Sequence, residues 1–227
     1  MGITGAIINA LAIVAGGAVG LLLRGRITDK FSQSIIRVLG LCVITIGMRS
    51  AIGGDVMLMV VSLAVGVFIG EYIRIDDGLN KFGLWAQDRL TKDKNSSFAE
   101  GFVTTTLLYC VGAMAIVGSI ESGLMGDLSV ITTKSILDGI SAIFFASSLG
   151  VGVLFSAAAV LVYQGTIEFF AGHLQGVFTS ELVTQLSAVG GVMIMAIGLN
   201  LAIAAKFKVA NLLPGFLVAV TYYYVIL

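Results

Sequence analysis

Apolar residues run almost from end to end of this chain, and the positive charges that interrupt them are spaced so that nearly all fall on one side of a bilayer. The apolar blocks repeatedly reach the roughly 20 residues a helix needs to cross a hydrocarbon core. They are also continuous, whereas the strands of a membrane barrel would alternate and be about half as long. The fold class that follows is an all-α integral membrane protein. Only 11% of the 227 residues are charged and the formal net charge is zero, so nothing in the charge suggests nucleic acid as a partner. No room is left for a separate soluble domain of ordinary size, and residues 1–227 read as a single polytopic membrane domain.

The blocks read in order as about eight transmembrane helices: Ile3 to Leu23, Ile35 to Ile52, Val56 to Ile73, Phe102 to Ile120, Ile136 to Ser148, Val151 to Phe170, Leu186 to Ala204 and Val209 to Ile226. The first has its positive residues (Arg24, Arg26, Lys30) after it, the reverse of a signal peptide, so it is expected to remain as a membrane helix. With the amino terminus outside, the inner loops hold Arg24, Arg26, Lys30, Arg37, Arg74, Lys81, Arg89, Lys92, Lys94, Lys206 and Lys208, leaving Arg49 and Lys134 outside. That eleven-to-two bias places both termini outside. The fifth helix is the weak point, because counted from Ile136 it is short for a span and is followed by Ala146, Ser147, Ser148, Leu149, Gly150, Val151 and Gly152. Such a run reads either as a helix broken inside the membrane, the usual pointer to a binding site, or as a tight turn at the inner surface.

The linker, residues 74–100, carries both signs of charge and contains Leu79, Phe82, Ala86 and Leu90 at helical spacing, with Trp85 nearby. This suits a short helix at the inner interface, followed by the turn-like Lys92, Asp93, Lys94, Asn95, Ser96, Ser97; a solvated loop is the alternative. An internal repeat is also legible. Laying Asp29 to Ile52 over Ser180 to Ile203 without gaps pairs Val38 with Val189, Gly40 with Gly191, Ile46 with Ile197, Gly47 with Gly198, Ala51 with Ala202 and Ile52 with Ile203. Five crossings separate the two helices, so they would run in opposite directions. The repeat is then inverted, residues 1–73 against 151–227, with residues 101–150 as central helices. Gly16 with Gly20, Gly66 with Gly70, and the pairs Gly40, Gly47 and Gly191, Gly198 are small residues suited to close helix packing.

Polar residues inside the apolar blocks are the candidates for a substrate path: Asn9, Ser147, Ser148, Tyr163, Gln164 and Asn200, joined by the acids Glu121, Asp138 and Glu168 near the outer helix ends. An amide or acid in hydrocarbon needs a partner. Each can find it in an interhelical hydrogen bond, by snorkelling to water, in a salt bridge such as Asp138 with Lys134, or in a transported solute. Cys42 and Cys110 sit in apolar segments, and neither a disulfide nor a metal site nor any cofactor is expected. The one histidine, His173, lies at a helix end, and no H-E-x-x-H, G-x-S-x-G or phosphate loop is present, so no enzyme is read.

The stretches LLYCVGAMAIVGSIESG (Leu107 to Gly123), KSILDG (Lys134 to Gly139), FASSLGVGVLFSA (Phe145 to Ala157), YQGTIE (Tyr163 to Glu168) and VANLLPG (Val209 to Gly215) resemble the YqgA/YdfK-like family of bacterial inner-membrane proteins. The resemblance covers essentially the whole chain. It implies a bacterial inner membrane and multi-pass topology, and it carries over no substrate, catalytic residue or binding residue. The reading is a transporter-like protein moving a small solute or cation. The alternatives are a channel and a non-transporting scaffold or sensor, and the partners are the bilayer, the unknown solute and, as an open option, further copies of the chain. Cysteines placed at Gly54, Ser129 and Thr179 are expected to label from outside intact cells and one at Asn95 is not; labelling at Asn95 but not Gly54 would invert the topology.

Overall fold

The computed structural model describes residues 2–24, 29–90, 97–174 and 178–226. Among these, the regular elements are all helical: α1 (Thr4–Arg24), α2 (Asp29–Ala51), α3 (Val56–Ile73), α4 (Ile75–Leu90), α5 (Phe98–Cys110), α6 (Ala113–Met125), α7 (Ser129–Leu149), α8 (Gly152–Phe169), α9 (Ala171–Leu174), α10 (Ser180–Ile203), a 3₁₀ turn (Val209–Leu212) and α11 (Pro214–Ile226). Arg26, Lys92, Asp93, Lys94, Asn95 and Ser96, used above for charge and turn arguments, lie outside the described residues.

Among the described residues, six helices are long and apolar enough to cross a membrane: α1, α2 from Gln33, α3, α7, α8 and α10. The other two expected spans are irregular. The fourth is α5 and α6, each 13 residues long, which meet at a 62° bend and make a seventh crossing only if taken as one broken span. The bend falls at Gly112, whose φ of 137° is open to glycine and strained for any side chain. The eighth divides into the 3₁₀ turn and α11. Pro214 opens α11, where its missing N–H costs nothing, and the 13 residues rise about 20 Å, short of a hydrocarbon core.

The fifth helix is neither short nor broken. α7 runs unbroken for 21 residues, about 31 Å, and starts seven residues earlier than the apolar pattern suggested. The polar run at its start stays helical because its groups bond within the helix. Thr133 donates to the Ser129 carbonyl at 3.0 Å and Ser135 to that of Ile131 at 2.7 Å, while Lys134 reaches Asp138 one turn on. Before it, the Ser129 hydroxyl and amide donate to Asp127, holding that exposed carboxyl below the usual carboxylate range. The glycine-rich run at its other end is a turn between α7 and α8, with Gly150 at φ 84°.

The chain forms two compact units. The first comprises Met1–Ile36, Asn80–Cys110 and Met114–Val177; the second, Arg37–Leu79, Val111–Ala113 and Phe178–Leu227. In the first, α1 lies along both α7 and α8. A Cβ on Gly16 would strike the Gly139 carbonyl and one on Gly20 the Ile143 carbonyl, so α1 and α7 run parallel at backbone contact. In the second, a Cβ on Gly40 would come 2.7 Å from the Gly198 oxygen, and one on Gly191 would come 2.6 Å from the Gly47 oxygen. α2 and α10 are therefore antiparallel and also at backbone contact. Gly66 faces Gly215, and Gly70 faces Asn211, across the interface of α3 with the 3₁₀ turn and α11. Buried Asn211 braces that turn, donating to Glu71 at 2.8 Å and accepting from the Asp76 amide at 2.7 Å.

Any side chain at Gly16, alanine included, must push α1 off α7. Gly16→Leu is expected to cost more than the roughly 1–3 kcal/mol of ordinary overpacking, because backbone cannot rotate away. Gly78→Ala, in an exposed and open stretch of α4, should gain up to about 1 kcal/mol of helix propensity. Thermal unfolding of the two variants in detergent should move in opposite directions.

Candidate functional site

The side chains that α1 buries in the first unit are small apart from Asn9 and Ile13. Gly5, Ala6, Ala10, Gly16, Gly17 and Gly20 let α7 and α8 close in, and Asn9 is thereby held between them, fully buried. Its amide nitrogen donates in two directions, to Asp138 Oδ2 of α7 at 3.0 Å and to Gln164 Oε1 of α8 at 2.9 Å. On α7, Lys134 pairs with the same Asp138 oxygen from one turn away. The ammonium also lies 5.9 Å from the ring centroid of buried Tyr109, whose hydroxyl accepts from Ser141 at 3.2 Å. The cation is thus placed between a carboxylate and a ring face.

One turn beyond Gln164, Glu168 meets the first turn of α1. Its oxygens accept from the Ala6 amide at 2.6 Å and the Gly5 amide at 3.2 Å, and Ser122 of α6 adds a hydroxyl. The amides at a helix start have no partner within their own helix, and a carboxylate there also meets the favourable end of the helix dipole. Gly5 leaves room for this contact: a Cβ there would come 2.7 Å from Glu168 Oε1 and 2.9 Å from Ser122 Oγ, so a larger residue would displace the carboxylate from the helix start. Ser122, which bonds Glu168, also lines a hollow of about 300 Å³, shared with Gly2, Thr4, Gly123, Gly126 and Leu128.

The network is buried and incompletely satisfied. Asn9, Gln164 and Glu168 have no exposed surface, and Lys134 and Asp138 only 6% and 8%. Yet Asn9 Oδ1 and Gln164 Nε2 are buried without a hydrogen-bond partner. One acceptor and one donor therefore stand open on neighbouring side chains in the middle of a charged cluster.

Of the nine path candidates, the structure gathers Asn9, Asp138, Gln164 and Glu168. Ser147 and Ser148 sit near the far end of α7, nine residues or about 14 Å past Asp138; Ser147 donates to the Phe144 carbonyl and the Ser148 hydroxyl is unpartnered. Tyr163 lines an apolar groove, and no hydrogen bond or ion pair joins partly exposed Glu121 to the cluster. Asn200 belongs to the second unit. Both ends of its amide bond the Phe207 backbone, at 2.8 and 2.7 Å, which explains its presence structurally. The candidate set missed Tyr109, whose partner is distant in sequence, and Ser122, one hydroxyl among many. Lys134 had a signal in its four-residue spacing from Asp138.

A family model described as Protein of unknown function (DUF554) matches residues 4–224. The chain belongs to this family. It is 32% identical over 219 residues to the uncharacterized membrane protein YdfK of Bacillus subtilis, covering 94% of this chain and 93% of that one. It is 31% identical over 222 residues to the uncharacterized protein YqgA of Escherichia coli, covering 96% and 94%. No solved structure matches. With its six long apolar helices, this family member is a multi-pass membrane protein.

Removing one member of the buried ion pair should cost more than removing both. Asp138→Asn leaves Lys134 as an uncompensated buried charge and is expected to destabilise by about 3–5 kcal/mol, whereas Lys134→Met with Asp138→Asn, which keeps an acceptor for the Asn9 amide, should cost clearly less. Thermal unfolding of the single and double variants checks this; equal losses would mean the pair is solvated.

Proposed function

We propose that the protein is a transporter-like bacterial inner-membrane protein that moves a small solute or a cation by alternating access, with Asn9, Lys134, Asp138, Gln164 and Glu168 as its path. The observation that carries the reading is the charged network inside the spans, with an open donor and an open acceptor. Ionisable groups at such depth are costly, and membrane proteins retain them chiefly where they serve a pathway. The hollow at Ser122 supports an entrance next to Glu168.

The glycine contacts of α2 and α10 support an inverted repeat. The sequence overlay equates Gly40 with Gly191 and Gly47 with Gly198, while the contacts join Gly40 to Gly198 and Gly47 to Gly191. Exchanging equivalents turns each contact into the other, as a two-fold axis between the helices would. α1 also packs on α8, and α3 on α11, their counterparts in the overlay. Eight crossings, with both termini outside, is the topology in keeping with the positive charges. A scaffold is the second reading, favoured by the pairing of Asp138 with Lys134 and of Glu168 with the start of α1.

The test is ion flux in proteoliposomes loaded with a pH-sensitive dye, driven by a potassium diffusion potential, with radioactive sodium uptake in parallel. Wild-type protein should carry one of the two ions above protein-free vesicles. Glu168→Gln, and Lys134→Gln with Asp138→Asn, should lower the rate at least tenfold while unfolding temperature stays near that of the wild type. Flux unchanged by these substitutions would remove the network from the path, and flux of neither ion would remove the cation form of the proposal.

A further inference from the structure

α4 turns one aromatic face towards α5 and α8, and the three helices enclose a groove of about 580 Å³. Its walls are Phe82 and Trp85 of α4, Phe98 and Phe102 of α5, and Phe155 and Tyr163 of α8. The rings follow one another at contact: Phe82 stacks on Trp85 with centroids 5.6 Å apart, Phe82 lies 6.0 Å from Phe102, and Phe98 lies 5.3 Å from Phe155. On α8 the lining positions 155, 158, 159, 162 and 163 form a single helix face. They extend the groove over nine residues, a rise of about 12 Å, along a membrane span.

Phe82, Trp85 and Val162 keep 52%, 55% and 70% of their surface exposed. In water that would be a cost; against hydrocarbon it is none. The groove also has a charged rim. The exposed Arg89 guanidinium lies 5.8 Å from the centroid of Trp85, one turn further along α4. Lys81 adds a positive charge to the exposed surface of the helix and Asp88 a negative one.

We infer that this groove binds an anionic phospholipid, one acyl chain lying along α8 and the headgroup phosphate at Arg89. A trough that is apolar along a span and cationic where an amphipathic helix meets it matches the two halves of such a lipid. Charge complementarity selects the headgroup. A phosphatidylcholine brings its own cation beside the phosphate, whereas phosphatidylglycerol leaves a net negative charge for the guanidinium. Arg also suits phosphate better than Lys through its planar fork of donors.

Trp85 is the only tryptophan, so its fluorescence reports on the groove directly. The protein is reconstituted in phosphatidylcholine vesicles containing, at equal mole fractions, phosphatidylglycerol or phosphatidylcholine with brominated acyl chains as quencher. The brominated phosphatidylglycerol should reach half-quenching at about fivefold lower mole fraction, the preference one basic residue supplies near a membrane surface. Arg89→Gln should remove the preference and leave quenching by phosphatidylcholine as it was, and high salt should weaken the preference in the wild type. Ala158→Phe, which fills the groove, should reduce quenching by phosphatidylglycerol. Equal quenching by the two lipids, or a preference that survives both Arg89→Gln and high salt, would reduce the groove to ordinary annular lipid and overturn the assignment. Undiminished quenching in Ala158→Phe would place the lipid outside the groove and overturn it as well.

Discussion

Backbone contact between α1 and α7 is the constraint on which the first unit depends. Lipid supplies no hydrophobic drive to bring helices together, so their attraction must come from short-range packing and hydrogen bonds, both of which demand close approach. Gly16 and Gly20 provide it by setting α1 against the carbonyls of Gly139 and Ile143. Only at that separation can a side chain as short as asparagine bond both Asp138 and Gln164. The polar network is thus a consequence of the glycine face, and its cost in hydrocarbon is tolerable because the same packing keeps its members within reach of one another.

Two ways of neutralising a buried acid appear side by side in this network. Asp138 is met by a side-chain cation from its own helix, and Glu168 by the backbone of another helix. The first leaves two charges that depend on each other, so a change at one is felt at the other. The second uses dipoles that cannot be titrated or mutated away, only covered or displaced.

Much of the architecture was legible in the sequence. Span length and continuity identified the class, and all six long spans coincide with apolar blocks. The glycines of α2 and α10 announced a close contact through their seven-residue spacing. What the sequence hid was local. Hydropathy treats Thr133, Lys134 and Ser135 as a gap, because it cannot register that their polar groups bond within the helix or one turn along it. It also treats Phe102 to Ile120 as continuous, because a single Gly112 with positive φ weighs nothing in an average. Within the site, Asn9, Asp138, Gln164 and Glu168 could be picked as polar residues in apolar surroundings. Which of the nine candidates meet could not, since Asn200 and Tyr163 carry the same local signal and differ only in what the fold places beside them.

The placing of Gly5, Ala6 and Asn9 within a single turn and a half of α1 has a mechanical consequence. α1 holds α8 at two levels, through the main chain at Glu168 and through the amide at Gln164. A rigid helix cannot slide along α8 and keep either contact, so a slide breaks the two together. Sliding of α1 along α8 is therefore a cooperative step between discrete positions, with a threshold, and not a graded drift.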